Sequence, residues 1–211
     1  MIVIILTLIV AIALGTIFSN LLPRSSNETK GTDTKTTNAV VSQSNIKDYV
    51  ALQCGAFGKK EKALVLKNSL MSLGTPFIIQ ENNLFRVFFG IYPKEGIDTI
   101  TKQLTDSKIV YIKINIQLIA KDTTSAQTNE MISADIKILN ALSEKGDNSY
   151  ETAKLKEWLL SLKGSDAKSV NYSSMIEIKK YLTAMPVLLK KDKTEEGYMY
   201  IYKFIKKILK T

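Results

Sequence analysis

Tyr49-Val50-Ala51-Leu52-Gln53-Cys54 and Leu84-Phe85-Arg86-Val87-Phe88-Phe89-Gly90 bracket the stretch that decides the fold. Between Tyr49 and Tyr92 the order reads strand, helix, strand, tight turn, strand. The first segment alternates with period two, so Val50, Leu52 and Cys54 point one way and Tyr49, Ala51 and Gln53 the other. Gly55 and Ala56 end that strand, and Phe57-Gly58 begins the turn. Lys60 to Leu73 carries Ala63, Leu66, Leu70 and Leu73 at helical spacing. Gly74 is a natural terminator, and Pro76 prevents continuation. Phe77 to Gln80 reads as a second strand. Asn82-Asn83 suits a tight hairpin because asparagine tolerates positive φ. On the third strand Phe85, Val87 and Phe89 oppose Leu84, Arg86 and Phe88.

Beyond this core, Lys94 to Leu104 predicts a second helix with Ile97, Ile100 and Leu104 inward. Ile109 to Ile119 predicts a fourth strand. The fold class is therefore α+β: a βαββαβ, split-βαβ antiparallel sheet of four strands with two helices on one face. The wholly apolar strand residues belong under those helices. The opposite face is expected to stay open, lined by Tyr49, Gln53, Leu84, Arg86, Phe88 and Tyr111. Cys54 is expected to be a small buried hydrophobe.

The flanks complete the organisation as 1–22, 23–45, 46–120 and 121–211. Ile2 to Leu22 is almost wholly apolar, and at about 1.5 Å per residue it matches a bilayer core of about 30 Å. No small-x-small cleavage site follows it, so it predicts an uncleaved single-pass anchor. Residues 23–45, rich in Ser, Thr and Asn, predict a flexible tether. From about Thr128 the periodicity turns helical. Met131, Leu139 and Leu142 mark one helix, and Leu155, Trp158 and Leu162 a second. Met175, Ile178 and Leu182 mark a third, and Tyr198, Ile201, Tyr202 and Ile205 a last, predicting a small bundle.

The 211 residues include one cysteine and no histidine. That removes imidazole ligands, near-neutral acid–base chemistry and internal disulfides. No paired acid and base and no phosphate-cradling glycine loop is discernible, so the expectation is a binding protein with no catalytic residue, metal or cofactor. The net charge of +9 suits an anionic partner such as nucleic acid, lipid head groups or acidic wall polymer.

Leu52-Gln53-Cys54-Gly55-Ala56-Phe57 followed by Leu84-Phe85-Arg86-Val87-Phe88-Phe89-Gly90 resembles the paired motifs of the SPOR domain family, over about residues 46–114. The resemblance implies a βαββαβ domain that binds peptidoglycan, favouring septal glycan strands stripped of their stem peptides, in cell division or sporulation. It implies Gln53, Ala56, Leu84, Arg86, Phe88 and Tyr111 as glycan-binding positions. Gln53 would donate and accept hydrogen bonds, and the Arg86 fork would meet the lactyl carboxylate that amide cleavage exposes. Two positions depart from the pattern: Leu84 stands where an aromatic is common, and Ala56 where a small hydroxyl is. Phe88 or Tyr111 would then supply the ring.

The positive-inside rule alone, with Arg24 and Lys30 after the apolar run, would keep the bulk of the chain in the cytoplasm. The resemblance instead implies an extracytoplasmic location for residues 46–211. Two rivals use the same residues. In one, the C-terminal helices recruit an envelope or septal protein and the sheet face is degenerate, as Leu84 and Ala56 would suggest. In the other, the sheet binds RNA, but Leu84–Tyr92 lacks the Lys/Arg-Gly-aromatic signature, so nucleic acid is not expected as a partner.

Overall fold

Asn82 and Asn83 both adopt left-handed backbone, with φ of 52° and 60°, and close the expected hairpin. The computed structural model describes residues 46–146 and 148–210, all within one unit. The anchor expected over 1–22 and the tether over 23–45 lie outside the described residues. Among the described residues no helix is long and apolar enough to cross a membrane.

The first half follows the order β1 (Ile46–Phe57), α1 (Lys60–Leu70), β2 (Phe77–Glu81), β3 (Leu84–Pro93), α2 (Ile97–Asp106), β4 (Ile112–Ile119). The strands lie in the order β2-β3-β1-β4, every neighbouring pair antiparallel. This is the split-βαβ sheet. β3 runs through Gly90. A Cβ there would come within 2.6 Å of the Tyr92 hydroxyl oxygen, so the missing side chain makes room for that ring. The β1–β3 register shifts on either side of Gln53, an irregularity that adds local twist.

One face of the sheet behaves as expected. Val50, Leu52, Val87 and Phe89 pack beneath Ala63 and Leu70 of α1 and Ile97 and Leu104 of α2. Cys54 packs against this cluster but is only half-buried, and desolvation pushes its thiol up to about 11. Tyr111 also packs here. The expectation that it lines the opposite face is therefore corrected: it lies just before β4 and turns toward the helices.

The second half is α3 (Thr123–Ser143), β5 (Ser149–Glu151), α4 (Ala153–Ser161), α5 (Tyr172–Thr183), β6 (Leu188–Lys190), a 3-10 turn (Lys191–Lys193) and α6 (Thr194–Ile208). α3 starts five residues earlier than its apolar periodicity predicts, because Asp122 and Ser125 form a capping box. The Asp122 carboxylate accepts the Ser125 N–H at 2.6 Å, and the Ser125 hydroxyl oxygen accepts the Asp122 N–H at 3.0 Å. The β5–β6 ribbon was not expected, since three-residue strands are too short for alternation to reveal.

The face expected to be open is covered. The helices do not form a bundle apart from the sheet; α3 and α6 lie on its second face. The Tyr49 and Ser133 hydroxyls are hydrogen-bonded at 2.5 Å, and Lys47 pairs with Glu130 at 2.9 Å, both joining β1 to α3. Phe77 stacks on Phe88 at 5.2 Å and on Tyr198 of α6 at 5.3 Å, while Tyr202 meets Phe88 at 4.6 Å. Phe77, Phe88 and Tyr198 have no exposed surface. α6 fits against α3 because Gly197 lacks a Cβ, which would otherwise fall 2.5 Å from Leu139 Cδ2. The described residues thus form three layers: helices, sheet, helices.

Each fully buried side chain of this size contributes roughly 1.5–3 kcal/mol. Lifting α6 would re-expose Phe77, Phe88, Tyr198, Ile201, Tyr202 and Ile205 together. The cost is comparable with the whole stability of an ordinary domain, about 5–15 kcal/mol. The cover is part of the core.

Candidate functional site

The cover has an edge. Along β1 the second-face residues Tyr49, Ala51 and Gln53 are all buried, at 5%, 0% and 7% exposure, yet Ala56 is exposed. Across the register, Gln53 pairs with Phe88 on β3 and Ile112 on β4, and Ala56 pairs with Arg86. Ile112 is 55% exposed. Leu84 and Arg86 are half-buried. The helices therefore stop near Gln53 and Phe88, leaving a small open end of the face bounded by Ala56, Leu84, Arg86 and Ile112.

Strand alternation places Arg86 and Gln53 on the same side of adjacent strands, and the side chains meet. Arg86 Nη1 donates to Gln53 Oε1 at 3.0 Å. The bond fixes the glutamine amide with its oxygen committed. Arg86 Nε is buried and finds no hydrogen-bond acceptor among the described residues. Its nearest carboxylate oxygen is Glu81 Oε2, at 3.7 Å, beyond hydrogen-bond length. The guanidinium is thus oriented by one good bond and one loose ion pair. It retains donor capacity for a carboxylate or hydroxyl that approaches the open end.

Of the six positions expected to bind glycan, the structure brings four together: Gln53, Ala56, Leu84 and Arg86. Phe88 is on the expected face but fully buried beneath Tyr202, so its ring offers no surface. Tyr111 is on the other face. Neither supplies the exposed aromatic that the pattern lacks at Leu84. Two neighbours escaped the sequence reading. Ile112 could have been found by pairing the fourth strand against Gln53. Glu81, directly opposite Leu84, could have been found from the hairpin register.

Tyr202 closes the rear of this corner. Burial, then the negative charge of Glu81, raises its hydroxyl above the ordinary tyrosine range, and Arg86 pulls it back. Glu81, Arg86 and Tyr202 therefore form one electrostatic neighbourhood.

The fold is a split-βαβ sheet, here layered by helices on both sides. Among solved structures the chain is similar to the solution structure of the peptidoglycan-binding domain of the B. subtilis cell wall lytic enzyme CwlC. Identity is 20% and the TM-score 0.30, with 39% of this chain and 96% of that one covered. No protein-family profile and no curated protein matches the chain.

Proposed function

We propose that the protein is a non-catalytic peptidoglycan-binding module, tethered outside the cytoplasmic membrane by residues 1–45, that grips denuded glycan at the open end of its sheet. The observation that carries this reading is the Arg86–Gln53 pair, held on one face by the two motif strands. A glycan strand cannot lie across the face as far as Tyr49 or Phe88, because α3 and α6 fill that space. The contact is confined to a short saccharide segment, with Arg86 facing a lactyl carboxylate and Ala56, Leu84 and Ile112 meeting the flat sugar face. A few hydrogen bonds, at roughly 0.5–1.5 kcal/mol for neutral and 1.5–3 for charge-assisted ones, sum to weak binding suited to many repeats along a polymer.

The full-length chain should be retained on sacculi more strongly after amidase treatment. Arg86→Ala should abolish that increase. Ala56→Glu adds a carboxylate at an exposed position without disturbing the core and should do the same. If retention is indifferent to amidase, or if both variants bind like the wild type, the glycan reading fails.

A second reading is favoured by the covered face and by exposed apolar residues of the helical half: Leu160 at 77%, Val170 at 81% and Val187 at 68%. Here the helices dock an envelope or septal protein and the sheet is scaffold. Deleting the helices cannot test this, because it would strip the core from Phe77 and Phe88. Polar substitutions at Leu160, Val170 and Val187 can: loss of localisation with sacculus retention intact selects this reading.

A further inference from the structure

Between the free edge of β2 and the outer side of α6 runs a groove of about 440 Å³, lined by Gln80, Glu81, Lys203, Lys206, Lys207 and Lys210. The spacing of the four lysines, three and four residues apart, sets them on one side of the helix as a ladder. Glu81 is the acidic residue in the lining. It is shared between Lys206 at 3.8 Å and Arg86 at 3.7 Å, neither of them a close pair. Lys207 Nζ donates to Glu177 at 2.6 Å, outside the groove. Lys203 and Lys210 are exposed and make no ion pair among the described residues. β2 ends the sheet, so alternate N–H and C=O groups of Phe77–Glu81 also point away from β3 toward this side.

We propose that this groove is a second binding site, for a base-free polyphosphodiester chain. Three features select that chemistry. The lysine ammoniums are compact point charges with rotatable donors, which suit phosphates in succession better than planar carboxylates. The apolar stripe of α6, Tyr198, Ile201, Tyr202, Phe204 and Ile205, is at most 3% exposed. Met199, Tyr200 and Ile208 are half-buried and Leu209 at the helix end is 49% exposed, so no continuous apolar face is left to lay into a bilayer. The aromatic beside the groove, Tyr202, is 3% exposed and committed to Phe88, so no ring is offered for a base to stack on. What remains is an open cationic groove that neutralises charge and reads no base. It adjoins the Gln53–Arg86 corner through Glu81 and Tyr202, but it does not depend on glycan binding there.

The test is titration of the full-length chain with a synthetic glycerol-phosphate oligomer at several salt concentrations. A Lys203→Gln, Lys206→Gln, Lys210→Gln variant should bind at least about tenfold more weakly. Its logarithmic salt slope should be shallower by about 2, at roughly 0.7 for each phosphate that the three lysines no longer neutralise. A control removing three exposed lysines by α1 (Lys59→Gln, Lys60→Gln, Lys62→Gln) should bind nearly as tightly as the wild type. Thermal unfolding of both variants checks that the fold is intact. Equal weakening in the two variants would overturn the site in favour of diffuse attraction. Polyadenylate binding as tightly, with the same dependence on the ladder, would overturn the choice of ligand in favour of nucleic acid.

Discussion

The two faces of the sheet carry nearly interchangeable sequences but different covers. On one, Val50, Leu52, Val87 and Phe89 lie under α1 and α2, the helices that interrupt the strands in the chain. On the other, Tyr49, Ala51, Phe77 and Phe88 lie under α3 and α6, which follow the sheet and are contributed by residues up to more than a hundred positions away. Alternation says which residues share a face. It does not say what lies over that face, because the cover can come from any segment with an unmet apolar stripe.

The largest effect expected from this picture is at Phe77, which has no exposed surface and stacks between Phe88 and Tyr198. Phe77→Ala should cost about 3–5 kcal/mol in denaturant unfolding. A face merely shaded by the helices would be destabilised far less.

Next in size is Asp135, fully buried on α3, with neither carboxylate oxygen bonded among the described residues. Burial raises its pKa well above the ordinary carboxyl range. The folded chain therefore keeps a proton that the unfolded chain has released, and stability falls as pH rises from about 4 toward the folded value. Asp135→Asn removes the titration. It should stabilise by roughly 1–3 kcal/mol at pH 8 and make little difference at pH 3.5. A gain independent of pH would show that the folded carboxyl is not protonated preferentially.

Smaller still is the bond between β1 and α3. Tyr49→Phe removes the hydrogen bond to Ser133 and should cost about 0.5–1.5 kcal/mol. In a double-mutant cycle with Ser133→Ala the two costs should not add; additive costs would mean that the hydroxyls are solvated separately.

The sheet was legible because its signals are local. Two asparagines at positive φ made the hairpin and period-two runs marked β1 and β3, although α1 ends at Leu70, before the Leu73 and Gly74 at which its spacing predicts the stop. The meeting of Gln53 with Arg86 followed from alternation plus the strand order. The cover was not legible from the strands, although α6 carried the clue. A helix with Tyr198, Ile201, Tyr202 and Ile205 in a broad aromatic stripe needs a flat partner, and the Phe77–Phe88 surface is flatter than another helix. The expected open face kept Phe88 as a binding ring where the same residue serves as core. Tyr111 falls on the other face because Ile112 pairs with Gln53, so alternation puts its neighbour Tyr111 beside Ile109 under the helices.

The central claim is that the sheet is buried on both sides, and neighbouring phenylalanines on β3 test it directly. Phe88 faces α6 and Phe89 faces α1 and α2, at 0% and 2% exposure. Urea unfolding of Phe88→Ala and Phe89→Ala should show comparable destabilisation of about 3–5 kcal/mol each. A Phe88→Ala protein within about 0.5 kcal/mol of the wild type, beside a crippled Phe89→Ala, would mean that the second face stands open to solvent after all.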